Sequence, residues 1–155
     1  MVRLLLVYLH VIGATTLLGT GAGIAFFMLM AHRSGDARII AHTAGVVVVA
    51  DMLFTATAVL LQPVTGAVLA IIDGFPIFRG WIGLSLILYV ITGAFWLPVV
   101  WMQVRMRDLA RAAAEQGASL PPEYHRLWRM WFAFGFPAFG AVLGIIWLMV
   151  AKPNL

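Results

Sequence analysis

Two side chains able to bind or move a proton stand inside long apolar stretches of this sequence: His10 within Leu4–Ala31 and Asp51 within Ile39–Gln62. A protonatable group in hydrocarbon is costly, so the few present are the residues to question first. An imidazole inside a helical membrane bundle is the usual axial ligand of a b-type haem. The helical face of His10 continues as Gly13, Ala14, Leu17 and Gly21, and small residues beside a histidine leave room for a flat group or for a neighbouring backbone. The competing reading is a histidine that hydrogen-bonds across a helix interface, with its glycines serving close packing.

Asp51 lies thirteen residues after Arg38, roughly 20 Å along a helix, which places it near His10 in depth. Thr55, Ala58 and Gln62 continue its face. A buried carboxylate there can orient a ligating imidazole by accepting its free N–H. Alternatively it is protonated in place and serves proton transfer, or it forms a structural His10–Asp51 hydrogen bond without any cofactor. His42 enters the second apolar stretch from the opposite side, some 15 Å or more from His10 by helix rise, so the two cannot share one haem within a chain. A single-histidine haem, a second ligand from Met52 or Tyr89, or a site shared between subunits is left open. Met28 and Met30, two apart on a helix, point about 200° from each other and form no copper site. Gly19-Thr20-Gly21-Ala22-Gly23 lacks the preceding strand of a dinucleotide fingerprint. Gly19/Gly23 and Gly140/Gly144 instead suit helix packing or a homodimer contact.

The elements that must position these residues are four apolar spans, about 4–31, 39–62, 81–102 and 128–151, each above the roughly 20 residues needed to cross a hydrocarbon core. The chain is 63% hydrophobic and only 10% charged, too apolar for a soluble domain of this size. The expected fold is all-α: a single membrane domain, an antiparallel four-helix bundle with kinks at Pro63, Pro98 and Pro137. The first span reads as a retained helix rather than a signal peptide. With no cysteine, disulfides, thiolate metal sites and Fe–S clusters are excluded.

Seven of the ten Lys and Arg residues (Arg33, Arg38, Arg105, Arg107, Arg111, Arg126, Arg129) fall in the first and third loops, and only Arg3, Arg79 and Lys152 fall on the other side. The positive-inside rule then puts both termini outside a bacterial inner membrane. Anionic lipid head groups, not nucleic acid, match the basic balance. Residues 103–127 form a cytoplasmic helical loop with an Asp108–Arg111 pair, a stop at Gly117 and a restart near Pro122. Val64–Ile72, beyond Pro63, reads either as a bent extension of the second helix or as a re-entrant piece. His32, His42 and His125 read as interfacial.

Tyr8-Leu9-His10-Val11-Ile12-Gly13, Ala31-His32-Arg33-Ser34-Gly35-Asp36, Ala41-His42-Thr43 and Leu97-Pro98-Val99-Val100-Trp101 together resemble a bacterial family of predicted integral membrane proteins, a domain of unknown function. That resemblance covers essentially the whole chain and implies no activity. More distantly, the Leu-His pair opening the first of four helices resembles HemJ-type protoporphyrinogen oxidases and CopD-like membrane proteins. In the HemJ type the early histidine ligates haem, a role the resemblance carries to His10. HemJ-type proteins also use a lysine within the membrane domain, whereas the sole lysine here is Lys152, so the resemblance does not carry the oxidase reaction. The expectation is a membrane haem b protein with His10 as axial ligand, Asp51, Gly13 and Tyr89 around the cofactor, and quinone as a conceivable electron partner. The alternative is a small transporter or accessory subunit using a His10–Asp51–Gln62 stripe.

Overall fold

The computed structural model describes residues 1–154 and is all-helical: α1 (Val2–Ser34), α2 (Ala37–Ala50), a π-helical turn (Asp51–Thr55), α3 (Ala56–Ile72), α4 (Gly80–Gln116) and α5 (Pro122–Ala151). The segment Ala37–Ile72 is one unbroken helical rod, so four helices in all are long and apolar enough to cross a membrane. Val64–Ile72 continues α3 as helix through Pro63, the extension and not a separate re-entrant piece. Each rod of 30 to 37 residues is about 45–55 Å long at the α-helical rise, well beyond a hydrocarbon core of about 30 Å. The excess overhangs the membrane.

The turns between the rods follow from local chemistry. Gly35 adopts the left-handed conformation (φ 66°) that ends α1, and the Asp36 side chain then accepts from the backbone N–H groups of Arg38 (2.7 Å) and Ile39 to start α2. Gly117 (φ 61°) closes α4, and Pro122 opens α5 where its missing N–H costs nothing. The expected Asp108–Arg111 pair is not formed. Asp108 pairs with its neighbour Arg107 at 2.8 Å, while Arg105 makes a two-pronged ion pair to Glu123 (2.9 and 3.2 Å) that ties α4 to α5.

The buried core sits at the loop end of the bundle, away from the termini. Met28, Ile40, Ala44, Met102, Met106, Ala110, Tyr124 and Leu127 are each at most 2% exposed. His32 stacks on Trp128 with ring centroids 4.1 Å apart and shares a 3.3 Å hydrogen bond with the Tyr124 hydroxyl. Met28 is fully buried while Met30 is 48% exposed, as their spacing of two requires. Here α4 packs on both α2 and α5, with α1 against α2. Toward the termini the partners separate into two pairs, α1 with α3 and α4 with α5.

Because the loop-end core lies where the helices leave lipid, water supplies a hydrophobic drive that hydrocarbon cannot. Tyr124→Ala is expected to destabilise the protein by about 3–5 kcal/mol, and Tyr124→Phe by about 1 kcal/mol through the lost bond to His32. Thermal and SDS-induced unfolding in detergent measures both, and equal losses in the two variants contradict a packing role for the ring.

Candidate functional site

The two helix pairs part at the termini end around an apolar cavity of about 370 Å³ lined from α1, α3, α4 and α5. His10 is its one histidine. The His10 ring is fixed from three sides. Its Nδ1 lies 2.8 Å from Thr65 Oγ1. The Thr65 hydroxyl has a single hydrogen and donates it to the Leu61 carbonyl at 2.8 Å, one turn back on α3. With that hydrogen on Leu61 the Thr65 oxygen accepts from His10, which pairs with the tautomer carrying the ring hydrogen on Nδ1 and a lone pair on Nε2; a hydroxyl turned toward Nδ1 pairs with the reverse tautomer. Gly66 gives the ring its place, since a Cβ there would stand 3.2 Å from His10 Cε1. Gln62 Nε2 donates to the His10 backbone carbonyl at 2.7 Å, and Gly13 is the hole into which the Gln62 amide fits, for a Cβ at Gly13 would collide with it.

Pro63 explains a second feature. Having no N–H, it leaves the Val59 carbonyl, four residues back, without its helical partner. The Tyr89 hydroxyl reaches across from α4 and donates to that carbonyl. Ser85, buried on the same face of α4, donates to the Trp81 carbonyl at 2.7 Å. Every hydroxyl facing the cavity thus commits its hydrogen to backbone and presents lone pairs.

The mouth of the cavity is polar. Arg3 clamps Asp73 through two bonds of 2.7 and 2.9 Å. The Arg3 guanidinium, by its hydrogen bond first and its charge second, holds the Asp73 carboxyl below its usual range. A depressed carboxyl pKa makes the pair's contribution present above the unfolded value and lost as pH falls through the folded one, so the clamp stays closed at neutral pH. Lys152 stands beside it, its Nζ 6.0 Å from the rings of both Phe75 and Trp81.

The structure brings together His10, Gly13, Gln62 and Tyr89 from the sequence expectation, and it does not bring Asp51. Asp51 sits on the π turn, 2% exposed, and takes its one hydrogen bond from Trp96 Nε1 at 3.3 Å. The His10–Asp51 pair is replaced by His10–Thr65, because the second helix runs ten residues past Gln62 to Ile72 and so lies deeper than a helix ending at Pro63 would. The single stripe His10–Asp51–Gln62 is accordingly broken. Met52 is 44% exposed on the outer surface and is no second ligand, whereas Met149 of α5 lines the cavity. Sequence reasoning missed Thr65, Gly66 and Met149. The first two lie in the segment whose path was ambiguous, and an unbroken helix through Pro63 would have put them opposite His10.

Among the described residues no three His, Asp or Glu side chains converge on a metal-ion cage, so the site's coordinating capacity is that of one imidazole. A family described as predicted integral membrane protein (DUF2269) matches residues 4–153 of the chain. No curated protein and no solved structure matches it.

The Pro63–Tyr89 relation is testable alone. Tyr89→Phe leaves the Val59 carbonyl unpartnered and is expected to cost about 1–3 kcal/mol. In a Pro63→Ala background, where residue 63 regains its N–H, the same change should cost little. A double-mutant cycle on unfolding midpoints reads the coupling, and additive losses contradict it.

Proposed function

This chain belongs to the DUF2269 family of predicted integral membrane proteins, and from that premise we propose that it is a membrane-embedded b-type haem protein with His10 Nε2 as axial ligand. One observation carries the reading. The only imidazole in the cavity has its Nδ1 on Thr65, and with the ring hydrogen there Nε2 is a Lewis base beside an apolar space. That is the arrangement in which the bond made by one ring nitrogen sets the ligating form of the other. A haem held there supplies one-electron redox chemistry.

The chain's own residues do the rest. Gly66 admits the ring, Met149 offers a thioether in the same cavity, and Lys152 at the mouth, outside the Arg3–Asp73 clamp, suits a carboxylate group. The lone-pair character of Ser85 and Tyr89 also suits a quinol, whose hydroxyls donate, as electron partner. On the opposite face Arg111, Arg126 and Arg129, outside the ion pairs of the described residues, meet anionic lipid. The basic bias of that face orients it to the cytoplasm of an inner membrane.

Detergent-purified protein expressed with ample haem is expected to show a Soret band with α/β bands on dithionite reduction. His10→Ala should abolish them, and Gly66→Ala should cut haem occupancy by pushing on the ring while leaving the fold intact by thermal melt. A colourless wild-type protein sinks the reading.

Orientation has its own test, made simple by a chain without cysteine. In intact cells a membrane-impermeant maleimide should label Lys152→Cys and not Gln116→Cys, and the reverse pattern inverts the topology.

A further inference from the structure

The haem reading leaves Asp51 without a task, and its surroundings are unusual. It opens the π turn, where its own N–H is shared between the Val47 and Val48 carbonyls and the Ala56 N–H reaches back five residues to the Asp51 carbonyl. Single π turns inside helices recur at functional positions. Trp96 Nε1 donates to Asp51 Oδ1 at 3.3 Å. Asp51 Oδ2 and, on the same turn, Thr55 Oγ1 are both buried without a well-formed hydrogen bond among the described residues, and the Thr55 hydroxyl is a polar neighbour of the carboxyl.

No cation balances this carboxyl. The ion pairs among the described residues are Arg3–Asp73, Arg105–Glu123 and Arg107–Asp108. Of the elements packed around the turn, α1 places His10 against Thr65, fourteen residues beyond Asp51, about 21 Å along the rod. On α2 the nearest ionisable group is His42, and on α4 they are Tyr89 and Arg105, each about 10–14 Å away by helix rise from Asp51 or Trp96. Arg129 on α5 is exposed at the loop end, and α3 carries no charge before Asp73. An ionised, unpaired carboxylate at this depth is strongly disfavoured, whereas the neutral acid carries an O–H on Oδ2 to give.

Among the described residues two further buried polar atoms without a partner lie toward the loop end: Gln103 Oε1, two turns from Trp96 on the same face of α4, and Trp131 Nε1 on α5. Buried polar atoms of this kind are the usual seats of ordered water. We propose that Asp51 is a proton-binding site of the membrane interior: Oδ2 takes one proton from water at neutral pH, Trp96 holds the other oxygen, and the proton enters from the loop end past Gln103. The site is independent of what the cavity at His10 holds.

Infrared spectroscopy of the full chain in lipid nanodiscs tests it. At neutral pH a protonated-carboxyl C=O band is expected that shifts within minutes of transfer to D2O and is missing in Asp51→Asn, an isosteric change that keeps the Trp96 bond. Gln103→Leu should slow that shift at least about tenfold, since it removes the polar seat on the path. Carbodiimide labelling of the wild-type protein, mapped by mass spectrometry to the peptide containing Asp51, gives a readout that needs no variant. Absence of the band and of the label overturns the proton site. A band that resists D2O for hours overturns exchange, and an unchanged rate in Gln103→Leu overturns the route.

Discussion

Hydrocarbon offers no hydrogen-bond partners, so each polar hydrogen of this chain must find its acceptor inside the protein. Six hydroxyls meet that demand in one repeated way, Thr15, Thr16, Thr57, Thr65, Ser85 and Thr92 each donating to the carbonyl four residues back, and Thr55 on the π turn departs from it. That habit determines the chemistry available to the rest. A hydroxyl tied to its own helix offers only lone pairs to its neighbours, and in that orientation Thr65 pairs with a His10 ring protonated on Nδ1. Where the helix itself creates a vacant acceptor, at Val59 through Pro63, a hydroxyl from another helix fills it, and Tyr89 is thereby fixed in the cavity wall. The basic character of the site is a consequence of backbone satisfaction in lipid.

The same solvent explains why one end of the bundle is packed and the other parted. Side chains such as Leu60, Val90 and Val150 are left 73%, 69% and 77% exposed, because lipid tails solvate them as well as a neighbouring helix does. Only past the membrane surface does burial of Met106, Tyr124 and Leu127 gain the full hydrophobic contribution. The loop end therefore sets the geometry of the bundle, and the termini end, held by α1 on α3, α4 on α5 and the Arg3–Asp73 clamp, can enclose a space without unmaking the fold.

Much of this was legible in the residues. Apolar run length gave the four spans, Gly117 gave the stop of α4, Pro122 gave the start of α5, and the isolation of His10 in apolar text marked the candidate site. What failed was depth. Counting thirteen residues from Arg38, as though the helix entered lipid there, brought Asp51 level with His10, when the rod in fact continues to Ile72 and presents Thr65 and Gly66 instead. Pro63 is tolerated within the rod because a donor from another helix replaces the lost one, and no local pattern announces Tyr89 as that donor. The π turn is equally silent, since Asp51-Met52-Leu53-Phe54-Thr55 has no composition that distinguishes it from an α-helical turn.

The two polar centres of the membrane interior differ in kind as well as in place. At His10, with the Thr65 hydrogen committed to its own helix, the ring proton is held on Nδ1, and in that form the ring is poised to give an electron pair and not to exchange a proton. At Asp51 the carboxyl has one oxygen tied to Trp96 and the other free, the opposite condition, in which a proton is the missing partner. About 21 Å of helix separates the two, far beyond the range at which side chains share contacts. They are nonetheless carried on one continuous rod, and α1 touches both its α3 segment and its π turn. Between the two sites that rod departs from regular α-helical hydrogen bonding twice, at the π turn and at Pro63, and each departure is matched by a side chain of α4, Trp96 at the first and Tyr89 at the second.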